Sequence, residues 1–199
     1  KEHFPPLPVG QRFLLLPPWE PAPEATDRIP IIIEPSMAFG TEHHATTQRC
    51  LEAIELLVQQ HGPPPTALDV GTGSGILAIA LAKLGASQIW ATDIDPVALD
   101  EAQKNSVANE VSEAIQFSDL PVDHLPGSFT LIIANLFSST LVLLAPTLTA
   151  AITPHGYAIL SGIQLDQESA VLAAYADPSW TLVARLPKDE WVTLVLQRA

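Results

Sequence analysis

The chain has 199 residues, 47% of them hydrophobic, which suits one large domain or one domain with an extension and excludes disorder throughout. Nine Lys and Arg against twenty-two Asp and Glu give a net charge of −13. That charge repels phosphate backbones, arguing against direct nucleic-acid binding, and fits either a basic protein partner or acidity for solubility alone.

Nine of the nineteen prolines fall in residues 1–35, in "FPPLPVG", "LLLPPWEPAP" and "RIPIIIEP", so this stretch reads as a proline-rich arm or linker ahead of a main domain over 36–199. Within it "RFLLL" and "IPIIIEP" are expected to form short edge strands packed on the body. A chain that opens on Lys1, with Met37 its one methionine, reads as a processed product or fragment lacking an N-terminal part. No charged-then-apolar leader and no apolar run of roughly 18 residues is present, so neither export nor membrane insertion is expected. With Cys50 as the one cysteine, an intrachain disulfide is excluded and the cytoplasm is the expected compartment.

From Thr46 the pattern is regular. "TTQRCLEAIELLVQQHG" predicts a helix capped by Thr46 or Thr47, with Leu51, Ile54, Leu57 and Val58 on one face. "TALDV" is a buried strand, "ILAIALAKLG" a helix stopped by Gly85, and "QIWATD" a second strand. Asp95 caps the next helix, with Pro96 at its first position. Strands "AIQF" and "FTLIIAN" follow, then helix "STLVLLAPTLTAAI", which Pro146 should kink or divide, strand "YAILSG", helix "DQESAVLAAYA", and a final strand pair joined through "PKDE". This alternation implies an α/β fold, a doubly wound parallel sheet with helices on both faces.

In such a sheet ligands bind beyond the carboxyl ends of the strands. The first strand ends in "DVGTGSG", where Gly71, Gly73 and Gly75 let a ligand approach bare backbone around Thr72. The spacing G-x-G-x-G is tighter than the G-x-G-x-x-G of pyrophosphate binders, which weakens a dinucleotide reading. Asp93, about twenty residues on at the end of the second strand, is placed to accept both hydroxyls of a ribose. Asp95 serves either as cap alone or also as a ligand contact, and Asp69 either holds the glycine loop or lies near a ligand's charged end. Asn135 closes "LIIAN" with a neutral carboxamide that can both donate and accept. In "MAFGTEHHATT", Phe39 can stack on a flat ring, and Thr46 and Thr47 can meet polar groups or cap the helix. A metal site is not expected, because His43 and His44 are adjacent and no cysteine lies near.

Together "MAFGTEHHATT", "LDVGTGSGILAIALAKLGA", "TDIDPVALDEAQKN", "ANLF", "LSGI" and "EWVTLVL" resemble class I methyltransferases that use S-adenosylmethionine, specifically the ribosomal protein methyltransferases of the PrmA type. The resemblance covers roughly residues 30–198. It implies a Rossmann-like, seven-stranded, mostly parallel sheet with an antiparallel last strand. It further implies S-adenosylmethionine over Gly71 to Gly75 with Asp93 on its ribose, Phe39, Thr46 and Thr47 closing over it, and Asn135 beside the reacting methyl. The activity implied is N-methylation of lysine side chains or an N-terminal amine on a basic ribosomal protein. One departure stands out: Glu42 replaces a family glycine, a strained choice if that position needs positive φ. The family's N-terminal recognition domain is expected to be missing, with the chain starting in its linker. Two other readings remain open from the residues, a cofactor-binding module without turnover and an NAD-dependent oxidoreductase.

Overall fold

The computed structural model describes residues 4–34 and 43–199, with only the backbone of His43 and His44; Phe39 and Glu42, and the stacking and strain read for them, lie outside the described residues. The arm forms a sheet of its own. Strands β1 (Leu7–Val9), β2 (Phe13–Leu16) and β3 (Ile29–Ile32) pair in that order, β1 antiparallel and β3 parallel to β2. The two expected strands are β2 and β3, but they pair with each other and with β1 rather than edging the main sheet. Val9, Phe13, Leu15, Ile31 and Ile33 are buried in the same cluster as Leu51, Ile54 and Leu77, so hydrophobic burial rather than backbone pairing fastens the arm.

The β1–β2 turn is also tied by charge. The Glu55 carboxylate, buried on α1 (His43–His61), accepts the backbone N–H groups of Gln11 and Arg12 at 2.9 Å each, while Arg28 Nη1 donates to the carbonyls of Gly10 and Phe13 at 3.0 Å. Such charge-assisted bonds in a part-buried place are about twice as strong as neutral ones.

The main sheet comprises β4 (Ala67–Val70), β5 (Ile89–Thr92), β6 (Ile115–Ser118), β7 (Phe129–Asn135), β8 (Ile152–Gln164), β9 (Trp180–Lys188) and β10 (Trp191–Arg198). Its order is β6-β5-β4-β7-β8-β10-β9, with β10 antiparallel to both neighbours and the remaining pairs parallel. This is the expected seven-stranded doubly wound sheet. Between the strands run α2 (Ile76–Lys83), α3 (Pro96–Ala108), α4 (Ser138–Ala151) and α5 (Glu168–Ala174). Helices α1 and α2 bury their apolar residues against one face and α4 and α5 against the other, giving two cores separated by the sheet.

Two local expectations change. Helix α1 begins at His43, so Thr46 and Thr47 are inside its first turns rather than capping it; both are buried, and packing against the core outweighs their preference for a helix end. Pro146 does not divide α4, which runs unbroken from Ser138 to Ala151. Its ring faces solvent, where water can serve the Val142 carbonyl that a proline leaves without its helical partner.

Candidate functional site

Parallel pairing brings the carboxyl ends of β4, β5, β7 and β8 to one edge: Val70 is opposite Thr92 on one side and Ala134 on the other, and Asn135 is opposite Ser161. The switch in strand order lies between β4 and β7, where β4 and β5 wind one way and β7 and β8 the other. The glycine loop leaves β4 at this point.

Gly71, Gly73 and Gly75 all have positive φ, at 71°, 55° and 82°. At Gly71 a Cβ would stand 2.5 Å from Leu136 Cδ2, so a side chain there would push the β7–α4 connection away from the loop. At Gly73 a Cβ would meet nothing within 4 Å, so the loop presents open backbone on that side. Thr72 turns inward: its N–H donates to the Thr92 carbonyl (2.8 Å) and its hydroxyl to Asp69 Oδ2 (2.7 Å).

Asp69 is 1% exposed. Burial raises its carboxyl pKa to about 6, resisted by hydrogen bonds from Thr72 and the Ala78 amide and assisted by the negative charge of Asp93. It therefore holds the loop from beneath. Asp93 ends β5 and uses each carboxylate oxygen once within the protein, Oδ2 accepting from Gly73 N–H (2.9 Å) and Oδ1 from Asp95 N–H (3.0 Å). A carboxylate has about four acceptor positions, so both oxygens keep capacity for ligand hydroxyls. Asp95 caps α3, its Oδ1 accepting from Val97 N–H at 2.9 Å, and capping accounts for it.

A cavity of about 440 Å³ lies over this edge, lined by Gly71, Asp93, Ile94, Asp119, Leu120 and Leu136 among others. Ile94 is 95% exposed, and Leu120 stands on the loop after β6, so two apolar side chains flank a slot above the acidic groups. A smaller cavity of about 140 Å³ is lined by Thr46, Asn135, Phe137, Gly162 and Trp191. Leu136 and Thr140 line both cavities, which therefore adjoin along this edge of the sheet. Leu136 N–H donates to the Ser161 carbonyl at 3.1 Å, which fixes the chain just after Asn135. Below Asn135, Ser161 and Thr193 share a hydrogen bond of 2.5 Å, and burial pushes the neighbouring Cys50 thiol up to about 12, too high to serve as a nucleophile near neutrality.

The structure thus places Gly71 and Asp93 in the walls of the larger cavity and Asn135 and Thr46 in those of the smaller, while Asp69, Thr72, Gly73 and Gly75 belong to the glycine loop and its support and line neither. Thr47 and Asp95 line neither cavity. Sequence reasoning missed Ile94, Leu120, Leu136 and Trp191. The available signal was an apolar residue directly after the carboxyl end of a parallel strand, as in "TDID" and "SDL", where solvent exposure otherwise favours polar residues. Another cavity, of about 410 Å³, is lined by Pro63, Pro64, Pro65, His61, Pro154 and Tyr157 near the amino ends of β4 and β7. It contains no acidic group and lies at the sheet end where such folds do not bind ligands. Among the described residues there is no group of three or more His, Cys, Asp or Glu that could hold a metal ion, and no helix long and apolar enough to cross a membrane.

A family model described as ribosomal protein L11 methyltransferase (PrmA) matches residues 1–199. The chain is 40% identical over 203 residues to the ribosomal protein L11 methyltransferase of Pelobacter propionicus, covering 100% of this chain and 65% of that protein, and 42% identical over 196 residues to that of Geobacter sulfurreducens, covering 98% and 63%. It therefore spans a little under two thirds of the length of these curated relatives. Among solved structures, a ribosomal protein L11 methylase from Lactobacillus delbrueckii subsp. bulgaricus superimposes with a TM-score of 0.86 at 31% identity, covering 99% of both chains. The N-methyltransferase NodS from Bradyrhizobium japonicum, in complex with S-adenosyl-l-homocysteine, gives 0.65 at 12% identity, covering 81% of this chain and 90% of that one, a likeness of fold alone. The chain belongs to the ribosomal protein L11 methyltransferase (PrmA) family.

Proposed function

We propose that the chain carries the catalytic part of an S-adenosylmethionine-dependent protein methyltransferase that acts on amines, lysine side chains or an N-terminal amine, of a basic ribosomal protein in the cytoplasm. The observation that carries this reading is the pair of adjoining cavities at the topological switch point, one lined by Asp93 and the other by Asn135. In this reading residues 36–199 hold the chemistry and residues 1–35 buttress α1.

The residues present fit the cofactor. The larger cavity is of the size expected for a small-molecule site. Asp93 offers paired acceptors to a ribose, Ile94 and Leu120 offer apolar faces to a flat base, and the open side of Gly73 admits close approach of the ligand to backbone. Asp69 and Asp93 concentrate negative charge beneath a ligand that carries two cationic groups. When bound, S-adenosylmethionine supplies an electrophilic methyl on sulfonium sulfur.

The remaining work is alignment. A protonated lysine has no lone pair, so the amine must shed its proton to water before attack, and partial desolvation among Phe137, Leu136 and Trp191 favours the neutral form. The Asn135 carboxamide oxygen can then accept from an amine N–H and aim the lone pair along the methyl–sulfur axis. A carboxamide does this without adding a charge that would hold the amine protonated. Thr46 borders the same small cavity, and the roles of Thr46, Thr47 and Phe39 toward the cofactor rest on the family resemblance.

Calorimetry with S-adenosylmethionine and S-adenosylhomocysteine tests the binding half, with micromolar affinity expected. Asp93→Ala should weaken binding by about 1–3 kcal/mol through loss of charge-assisted hydrogen bonds. No heat near millimolar ligand, or tighter binding of NAD, sinks the reading. Radiolabelled methyl transfer to a panel of basic proteins tests the chemical half.

A further inference from the structure

The glycine loop touches α3 at three levels. Asp93, just before the helix, accepts from Gly73 N–H; Ala102 packs against Gly75, its Cβ 3.0 Å from where a glycine Cβ would stand; and Asn105 Nδ2 donates to the Ser74 carbonyl at 2.8 Å. Ser74 lies between two glycines that both have positive φ. Glycines are soft to rotation, so the Ser74–Gly75 peptide takes its orientation from its hydrogen bonds, the first of them inside the loop, where Gly75 N–H donates to the Thr72 carbonyl at 2.8 Å. The Asn105 bond adds the second hold, from outside the loop, on the carbonyl of the same peptide.

One turn further along α3, Asn109 is 2% exposed and divides its carboxamide between two elements. Its Oδ1 accepts from Ile32 N–H (2.8 Å), and its Nδ2 donates both to the Ile32 carbonyl (2.8 Å) and to the Asn105 carbonyl (2.9 Å). Asn109 thus pairs with β3 as a strand neighbour would and joins the arm to the residue that holds the glycine loop. Carboxamides suit this task because donor and acceptor lie in one plane. In a part-buried setting such bonds reinforce one another, and breaking one leaves a group unsatisfied.

Resting on the reading that the glycine loop holds the cofactor, we propose that Asn105 and Asn109 are positioning residues that couple docking of the arm strand β3 to the orientation of the Ser74 peptide, and through it to cofactor affinity. Neither side chain lines the groove, so any effect on binding must pass through the loop.

The test compares wild type, Asn105→Ala, Asn109→Ala and the double variant by two measurements: hydrogen exchange of the Gly73, Ser74 and Gly75 amides without ligand, and calorimetric binding of S-adenosylhomocysteine. Each single variant is expected to speed loop exchange and to raise Kd about three- to tenfold, the scale of couplings between linked sites. The double variant should match Asn105→Ala rather than add to it. A purely structural role lowers the melting temperature and leaves loop exchange and Kd of the folded protein at wild-type values, which overturns the proposal, as does additivity. Asn105→Ala places the best helix former in α3, so it decides the matter even if Asn109→Ala does not fold. If wild type itself binds no S-adenosylhomocysteine, the functional reading fails, and the exchange measurement still decides the relay.

Discussion

At the residue scale, Asn135, in the wall of the small cavity, and Asp69, beneath the glycine loop, are expected to differ in task. Asn135 lines the small cavity, and under the proposed function its contribution is one of orientation, which is realised mostly in the transition state. Asn135→Ala is expected to lower kcat by roughly ten- to a thousandfold with cofactor affinity nearly unchanged, read by single-turnover kinetics beside circular dichroism of the same sample. A fall in melting temperature with turnover intact would instead make Asn135 a turn residue. Asp69 predicts a pH effect on stability. Its folded pKa, raised to about 6 by burial, exceeds the unfolded value of 3.8. The folded state therefore holds the extra proton between these values, and this stabilisation is full below pH 3.8 and lost as pH rises through 6. The loss amounts to about 2–3 kcal/mol. Asp69→Asn cannot titrate, so its stability relative to wild type should climb between about pH 4 and 6 and then level off. A flat difference across a series of melts at those pH values contradicts the assignment.

At the element scale, α3 carries a residue that works against its own helix end. Glu110 follows the C-terminal Asn109 at φ 59°, where Val111 N–H reaches back to the Ser106 carbonyl, a turn that favours glycine. The side chain is exposed. Relief of that strain exceeds the added freedom of the unfolded chain, so Glu110→Gly should stabilise by about 0.5–1 kcal/mol in urea unfolding. An unchanged or lower midpoint would place a stabilising contact on Glu110. The extent of α2 and α3 was legible in the sequence because α2 runs from the glycine loop to Gly85 and α3 starts on the Asp95 cap and Pro96, whereas α4 passes Pro146 and runs directly into β8 with no stop signal. The start of α1 was not legible, since the threonines that resemble a cap are held inside the helix by tertiary burial.

At the scale of the whole molecule, a net charge of −13 surrounds a groove whose rim includes Asp93, Asp119 and Asp123. The basic protein substrate proposed above would be drawn to such a surface over a distance that salt shortens to about 8 Å at physiological ionic strength. Raising salt from about 0.05 to 0.3 M should therefore raise KM for a basic protein about threefold or more, with kcat little changed. Initial rates across a salt series check this, and a KM that ignores salt would assign the acidity to solubility alone.

The order of strands and helices, the positions of the glycine loop and Asp93, and the end of β7 at Asn135 were determined by sequence alone, because each depends on local periodicity, on glycine or on strand-end placement. Tertiary structure alone decided the rest. Where the separate β1–β3 sheet docks depends on burial in the core beside α1 and α2 and on Glu55 and Asn109, residues 43 and 77 positions from the backbone groups they bind. That Thr72 turns inward to Asp69, and that Ile94, Leu120 and Trp191 face the groove, depends on which loops the sheet order brings together. Periodicity reports which face of an element is apolar; only packing sets which distant residue that face, or an unpaired backbone group, meets.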